Sequence, residues 1–243
     1  MKQGIFTIKS NRFLTDNVLE MVLAGDTSDI KRPGQFVNIR LDGMFLRRPI
    51  SVCDCKDNEL TIIYKTVGKG TELLSTYKEE KQLDILSGLG NGFNLAKSGE
   101  SPVLIGGGVG VPPMYLLCKK LLEQGKKPSV ILGFNTQSEI FYKNEFEKLG
   151  VNVIVTTVDG SFGVKGFVTD ALNQIDYSYY FCCGPEPMLK AVYSSCNTSG
   201  QLSFEKRMGC GFGACMGCSC KTVTGYKRIC TEGPVLEKEE IIW

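Results

Sequence analysis

The sequence contains no histidine, although 11 of its 243 residues are cysteine. Without imidazole ligands a Rieske iron–sulfur centre is excluded. The chain also lacks any run of about 18 or more apolar residues, so no segment is predicted to cross a bilayer. Its first residues, "MKQGIFTIKSNRFLTDNVLEM", have no continuous apolar core of the kind that a secretory signal needs, and we therefore expect a cytoplasmic protein.

The charge balance shows no excess of one sign. Lysine and arginine number 28 and aspartate and glutamate 26, which gives a formal net charge of +2. A charge this small produces no general attraction to nucleic acid or to anionic lipid, so neither is predicted as a partner. In a reducing cytosol, a cysteine-rich chain is more typical of metal or redox chemistry than of disulfides.

The chain divides into three parts by pattern. From Gln3 to about Ser87, short β-rich runs are separated by Gly, Asp, Asn and Pro clusters, with one predicted helix at Thr71–Lys78. After Gly99, buried strands alternate with amphipathic helices, a pattern typical of a parallel sheet covered by helices. We therefore predict a β + α/β fold that consists of an antiparallel β barrel (1–98), a nucleotide-binding α/β domain (99–202) and a small cysteine-rich segment (203–243).

The last part contains a distinctive cysteine spacing. Cys210, Cys215 and Cys218 form C-x4-C-x2-C, and Cys230 follows after eleven residues. This spacing is typical of plant-type [2Fe–2S] sites, and the glycines around it let the backbone approach a cluster closely. Zinc ribbons usually pair two C-x2-C units, whereas this segment has one, so a zinc staple is the less favoured alternative.

Two turns of the α/β part are predicted to bind a dinucleotide. "LIGGGVGVPPMYLL" places glycines between a buried strand and a helix, where backbone N–H groups favour a pyrophosphate. "CCGPEPML" follows a later strand at the same sheet edge, where Cys183 is a candidate to lie near a nicotinamide. A plain tight turn and a buried structural cysteine are the alternatives. The predicted residues are Gly107, Gly108, Gly110, Pro112, Cys183, Gly184, Pro185 and Met188.

The order of motifs resembles a known superfamily. "FLRRPISV", "IIYKTVGKGT", "GGGVGVPPM" and "CGPEPM" together resemble the ferredoxin reductase flavoproteins. The later stretches "SFEKRMGCGFGACMGCSC", "YKRIC" and "EGPVL" are similar to the electron transfer subunits of type B dihydroorotate dehydrogenases, and the resemblance covers essentially the whole chain.

The resemblance implies an FAD site on the barrel. Arg48 would contact the FAD phosphates, Ser51 would lie near the isoalloxazine, and Gly70 and Thr71 would offer N–H groups to the pyrophosphate. The wider superfamily has Arg-x-Tyr-Ser where this chain has Arg-Pro-Ile-Ser, which leaves open the side chain that covers the flavin ring. The full implied set is Arg48, Pro49, Ile50, Ser51, Ile63, Tyr64, Lys65, Gly70 and Thr71.

The resemblance also implies a function. Electrons from an FMN-containing catalytic subunit that oxidises dihydroorotate in pyrimidine biosynthesis would pass through a [2Fe–2S] cluster and FAD to NAD+, in a heterotetramer of two plus two subunits. "NTQSEIF" after a nucleotide-domain strand has no arginine for a 2′-phosphate, which favours NAD over NADP. The alternatives are a related subunit of a ferredoxin:NADP oxidoreductase, sulfide dehydrogenase or hydrogenase, and a zinc-stapled nucleotide-binding module without redox activity.

Overall fold

The computed structural model describes all residues from 1 to 243. The first part is a closed antiparallel barrel with strand order β1-β2-β5-β4-β3-β6, as predicted. Its elements are β1 Lys2–Phe13, β2 Val18–Ala24, β3 Phe36–Ile39, β4 Arg48–Lys56, β5 Glu59–Lys65, α1 Lys69–Ser75 and β6 Gln82–Leu89. In the closed barrel each strand pairs with two neighbours, and the strands enclose an apolar core in which Ile8, Leu23 and Ile62 are fully buried.

The second part is a parallel sheet with helices, also as predicted. The first strand of this part, β7, is wholly buried, which suits a central parallel strand covered on both faces. Helix α2 begins with two prolines in its first turn, where a missing N–H costs nothing. The elements are β7 Val103–Gly107, α2 Val111–Glu123, β8 Ser129–Phe134, α3 Lys143–Lys148, β9 Asn152–Thr157, β10 Val164–Lys165, α4 Val168–Leu172, β11 Tyr180–Cys183, α5 Glu186–Ser195 and β12 Gly200–Ser203.

The strand order creates a switch point. The seven-stranded sheet runs β10-β9-β8-β7-β11-β12 and ends in β15 (Val235–Glu237), which pairs antiparallel to β12. The chain builds outward from β7 in one direction and then returns to place β11 on the other side of β7. The crevice beyond the carboxyl ends of β7 and β11 is therefore the expected position for a ligand.

The cysteine-rich segment is joined to both other parts. It contains the two-stranded ladder of β13 (Ser219–Thr222) and β14 (Gly225–Arg228) before β15 enters the large sheet. A single apolar cluster includes Phe36 from the barrel, Ile105 from the sheet, and Cys218 and Cys230 from the segment. No helix of the chain is both long enough and apolar enough to span a membrane.

Candidate cofactor-binding site

The four cysteines with iron–sulfur spacing lie in two pairs. Cys215 Sγ accepts a hydrogen bond from the Cys210 N–H at 3.5 Å, and Cys210 Sγ accepts one from the Cys215 N–H at 3.4 Å. Cys218 Sγ accepts from the Cys230 N–H at 3.4 Å. No group of three or more His, Cys, Asp or Glu side chains is arranged to hold one metal ion. Two pairs of thiols suit a cluster whose two iron atoms share four cysteines.

The backbone around Cys210 favours its thiolate. Burial alone would raise the pKa of Cys210, but N–H groups of Phe212, Cys215 and Ala214 point at its sulfur and lower that pKa to about 6. The Ala214 N–H is the nearest, at 3.2 Å. Burial, followed by the neighbouring Cys218 thiol, raises the pKa of Cys230 to about 12. Iron would overcome that cost, because a thiol that coordinates a metal is deprotonated and its proton is released to solvent.

The loop that carries Cys210 lies on barrel strand β3. Asn38 Nδ2 donates a hydrogen bond to the Cys210 carbonyl oxygen at 3.1 Å. Gly211 has φ +79°, and a Cβ added there would overlap the Asn38 amide. In the barrel ladder, Asn38 lies opposite Pro49 in β4. The structure thus places the cysteine loop one strand away from the predicted flavin residues Arg48–Ser51.

The two neighbouring arginines at the start of β4 have different partners. Arg47 makes a two-pronged ion pair with Asp84, with both Nη2–Oδ distances at 3.0 Å, and it is less than one-fifth exposed. Arg48 instead hydrogen-bonds the Leu46 carbonyl and has no carboxylate partner. Its guanidinium lies against Gly70, where an added Cβ would be 2.6 Å from the Arg48 Cζ. Arg48 is therefore the arginine free to bind a phosphate, next to the first turn of α1.

An opening between two barrel strands brings the predicted flavin residues together. β4 pairs with β5 only from Val52 opposite Ile62 to the hairpin end, so Arg48–Ser51 and Ile63–Lys65 border an unpaired gap. All four residues of Arg48–Ser51 are half-buried, without the in–out alternation of an ordinary strand. The Thr71 hydroxyl does not face this gap freely, because it accepts from the Val67 N–H and donates to the Gly68 carbonyl.

Two of the β5 side chains point away from any ligand in this gap. Tyr64 is 2% exposed in the barrel core, where its hydroxyl donates to Asn11 Oδ1 at 2.9 Å. Ile63 is 3% exposed and belongs to the apolar cluster shared with α2. Only Lys65 of the three is half-exposed. Contact between a flavin and Ile63 or Tyr64 would therefore use their backbone.

The two glycine turns meet at the switch point of the sheet. In the ladder Cys183 lies opposite Gly106. A Cβ added at Gly110 would be 2.6 Å from the Gly184 nitrogen, and one added at Gly184 would be 3.0 Å from the Met188 sulfur. Gly107 also contacts Met188, whereas Gly108, with φ +50°, faces open space. The glycines thus let the two turns pack closely, while Gly108 stays accessible to a ligand.

The remaining predicted nucleotide residues lie around this crevice. Pro112 is buried in the first turn of α2, and Cys183 is half-buried opposite Ser203. Burial raises the pKa of Cys183 to about 12, so its thiol is neutral near pH 7. A cleft of about 280 Å³ extends from here, lined by Gly184, Pro185, Glu186, Leu189, Phe204, Glu205, Lys206 and Arg207.

Comparisons with known proteins match this arrangement of sites. Residues 205–242 match the family described as the iron–sulfur cluster binding domain of dihydroorotate dehydrogenase B, and residues 104–194 match the oxidoreductase NAD-binding domain. The dihydroorotate dehydrogenase B (NAD(+)) electron transfer subunit of Bacillus pumilus is 41% identical, over 99% of this chain and 98% of that protein. The chain belongs to this family of electron transfer subunits. The Fusobacterium nucleatum member is 41% identical over 97% of this chain and 96% of that protein.

Solved structures share the fold of this electron transfer subunit family. A chain of the NADH-dependent reduced ferredoxin-NADP oxidoreductase superposes with a TM-score of 0.89 at 30% identity, covering 98% of this chain and 90% of that one. The ferredoxin NADP+ reductase of Neisseria gonorrhoeae, solved with FAD and NADP, gives 0.70 at 15% identity, covering 80% and 90%. The second likeness concerns the fold alone.

Sequence reasoning missed two residues that connect the parts of this family member. Asn38 and Asn91 are barrel-side asparagines that hydrogen-bond the cysteine segment. Asn38 had a usable signal, since it is the one polar residue of the buried strand "FVNI" and a buried amide needs a partner. Asn91 lies in an Asn-Gly turn and had none. Cys220, which does not fit the cluster spacing, lies in β13 opposite Lys227.

Proposed function

We propose that this chain transfers electrons between the catalytic subunit of a dihydroorotate dehydrogenase B and NAD+, using a [2Fe–2S] cluster and FAD. One observation carries the proposal: the loop with the predicted cluster ligand Cys210 is hydrogen-bonded to β3, the strand that pairs with Arg48–Ser51 at the barrel gap. Two cofactors bound at these places would be neighbours. Neighbouring positions are what successive electron transfer between them requires.

The barrel residues would hold the FAD. Arg48, which has no carboxylate partner, would bind phosphate together with the N–H groups of Gly70 and Thr71 in the first turn of α1. Pro49, Ile50 and Ser51 on one side of the gap, and the backbone of Ile63, Tyr64 and Lys65 on the other, would contain the ring system. FAD supplies the conversion between hydride transfer with a nicotinamide and single-electron transfer with iron.

The sheet edge would bind NAD. The N–H groups of the turn at Gly107, Gly108 and Gly110 would bind the pyrophosphate, as backbone at such a switch point commonly does. Cys183, Gly184, Pro185 and Met188 would form the opposite wall. Because the Cys183 thiol is neutral near pH 7, we assign it packing against the nicotinamide and no proton transfer.

The partner supplies the dihydroorotate chemistry. The electron transfer subunits that this chain resembles are named as parts of a larger enzyme, which implies a catalytic partner. We propose an FMN-containing catalytic subunit, a heterotetramer of two plus two subunits and a cytoplasmic location. We also retain the division into residues 1–98, 99–202 and 203–243, with the last part contributing β15 to the sheet of the second.

Co-purification with the catalytic subunit tests this function. We expect a coloured complex that contains FAD, FMN, two iron atoms per copy of this chain and no stoichiometric zinc. It should reduce NAD+ with dihydroorotate, and Cys215→Ser should lose iron and this activity. A colourless zinc-containing protein would contradict the proposal. So would a complex that retains all of its activity without iron.

The ferredoxin-linked function is the second candidate, because the NADH-dependent ferredoxin-NADP oxidoreductase chain superposes over 98% of this one. Identity favours the first, at 41% against 30%. The two differ in partner: a chain that binds no dihydroorotate dehydrogenase but exchanges electrons between nicotinamides and ferredoxin would establish the second.

A further inference from the structure

Two asparagines of the barrel part hold opposite ends of the cysteine segment. Asn38 donates to the carbonyl of Cys210, at the first of the four cysteines. Asn91 holds the other end, beyond Cys230: its Nδ2 donates to the carbonyls of Glu232 at 3.0 Å and Val235 at 2.7 Å, and its Oδ1 accepts from the Val235 N–H at 3.1 Å. The segment is therefore fixed to the barrel at two points that differ in their distance from the ligands.

We propose that Asn38 is a positioning residue that sets the cluster loop relative to the flavin-binding gap, whereas Asn91 anchors the segment structurally. The inference rests on the proposed function, since it needs a cluster and a flavin bound at the described sites. Asn38 acts through Cys210, whose carbonyl it holds.

The surroundings of Asn38 leave little freedom. The residue is 1% exposed, and its amide packs against Gly211, which has a left-handed φ of +79°. No side chain fits at that glycine without displacing the Asn38 amide. On the barrel side, Asn38 lies opposite Pro49, which borders the gap. One side chain thus connects the first ligand residue to the strand pair that would hold the flavin.

The hydrogen bond also orients the peptide that follows Cys210. From this peptide the loop turns back, so that the N–H groups of Phe212, Ala214 and Cys215 point at Cys210 Sγ at 3.2 to 3.5 Å. Such hydrogen bonds set the reduction potential of an iron–sulfur cluster. Releasing the Cys210 carbonyl would let the loop shift and would change these contacts.

The folding role of Asn38 is small by comparison. Its Oδ1 is buried without a hydrogen-bond partner, which destabilises the fold, whereas an apolar side chain of similar size would not have this penalty. Asn38→Leu removes this unpartnered oxygen but also loses the hydrogen bond to Cys210, so the two effects oppose each other and the thermal midpoint should change little. Asn91→Leu should lower it, because three side-chain hydrogen bonds of Asn91 are lost. The two variants thus separate positioning from anchoring.

The experiment uses the complex with its catalytic subunit. We would compare the wild type with Asn38→Leu, Asn38→Asp and Asn91→Leu. For each complex we would measure iron and FAD content, the thermal midpoint, and the midpoint potential of the cluster. We would also record the electron paramagnetic resonance spectrum of the reduced cluster and the rate at which NADH reduces the cluster. Asp keeps the shape of Asn38 but, when ionised, cannot donate to the Cys210 carbonyl. Both Asn38 variants should retain the cofactors, show a changed spectrum and potential, and slow cluster reduction by about 10- to 100-fold.

Asn91→Leu should keep the wild-type spectrum, midpoint potential and rate of cluster reduction, although its thermal midpoint is lower. Wild-type values for the Asn38 variants in a loaded complex would overturn this inference alone. Loss of iron together with a collapsed melting transition in both Asn38 variants would also overturn it, by showing a structural role. Absence of iron and flavin from the wild-type complex would instead overturn the proposed function.

Discussion

At the scale of single residues, Arg47 and Arg48 are adjacent in the sequence but differ in what they contact. Arg47 is paired with Asp84, and Arg48 faces Gly70 without a carboxylate. We expect Arg48→Gln to weaken FAD binding by about 10- to 100-fold, because a hydrogen-bonded charge contributes about 1.5 to 3 kcal/mol. Fluorescence titration of the flavin-free protein with FAD measures the change.

Arg47→Gln is the matched control. It removes the ion pair with Asp84 that joins the start of β4 to β6, so the free energy of unfolding should fall by about 1 to 3 kcal/mol. Its FAD affinity should stay close to the wild type. The reverse pattern, with weak FAD binding in Arg47→Gln and normal binding in Arg48→Gln, would refute the assignment of Arg48.

A second residue-scale prediction concerns Tyr64 and pH. Burial raises the pKa of Tyr64 to about 12, although the hydrogen bond with Asn11 partly opposes this. The pKa of Tyr64 in the folded protein lies above the unfolded value of about 10, so burial of the neutral hydroxyl contributes to stability below pH ~10. This contribution is lost as the pH rises towards about 12. The loss amounts to about 2 to 3 kcal/mol at most.

Urea unfolding at several pH values between 9 and 12 measures this effect. Tyr64→Phe should make stability fall less steeply with pH, whereas Tyr226→Phe, at a position 71% exposed, should follow the wild type. Buried thiols such as Cys118, whose pKa burial raises to about 12, keep part of the slope in every variant. Equal slopes for Tyr64→Phe and the wild type would disprove the assignment to Tyr64.

Sequence reasoning reached many of these residues but not their partners. The motif "RRPIS" indicated an arginine for the FAD phosphates, and the resemblance pointed to Arg48; the reason for preferring it over Arg47 appears only when Asp84, 37 positions away, is placed beside Arg47. The same holds for Tyr64, which the resemblance placed at the flavin and which the fold turns toward Asn11. Side-chain direction at a strand end depends on where neighbouring strands separate, and a local pattern does not contain that information.

At the scale of elements, the helices between β8 and β11 are shorter than the sequence pattern indicates. The run "SEIFYKNEFEKLG" reads as one helix, but α3 begins only after Tyr142, which has a left-handed φ of 63°. Its hydroxyl donates to Glu20 Oε2 in barrel strand β2 at 2.8 Å, and both residues are buried. A contact between distant parts of the chain thus overrides local helix preference.

This contact gives an element-scale prediction. Tyr142→Phe leaves the buried Glu20 carboxylate with Arg12 as its remaining partner, so the free energy of unfolding should fall by about 1 to 3 kcal/mol. If this hydrogen bond joins α3 to the barrel directly, the double variant Glu20→Gln with Tyr142→Phe should lose less free energy of unfolding than the two single variants lose in sum. Additive losses in urea unfolding would show that the two side chains act independently.

At the scale of the whole molecule, the sequence could indicate three parts but not how they join. Strand periodicity, glycine turns and cysteine spacing are local, and each predicted its own part correctly. The return of β15 to the sheet, and the asparagine contacts from the barrel, join residues more than 30 positions apart in the sequence. Such contacts depend on the packing of complete elements, which no single motif specifies.

The cysteine loop is exposed to solvent on the folded chain, and we expect the catalytic partner to dock there. Phe212 and Met216, within the cysteine loop, are 44% and 56% exposed, and large apolar side chains that are exposed in this way are commonly buried when a partner binds. We expect Phe212→Ser with Met216→Ser to weaken binding of the catalytic subunit by about tenfold or more, while iron and FAD content and NADH-driven dye reduction stay at the wild-type level. Analytical ultracentrifugation of the mixed subunits measures the affinity.

Val223→Ser changes an equally apolar position, 66% exposed at the β13–β14 turn, and should bind the partner normally. Normal association of the double variant would place the docking surface elsewhere on the chain.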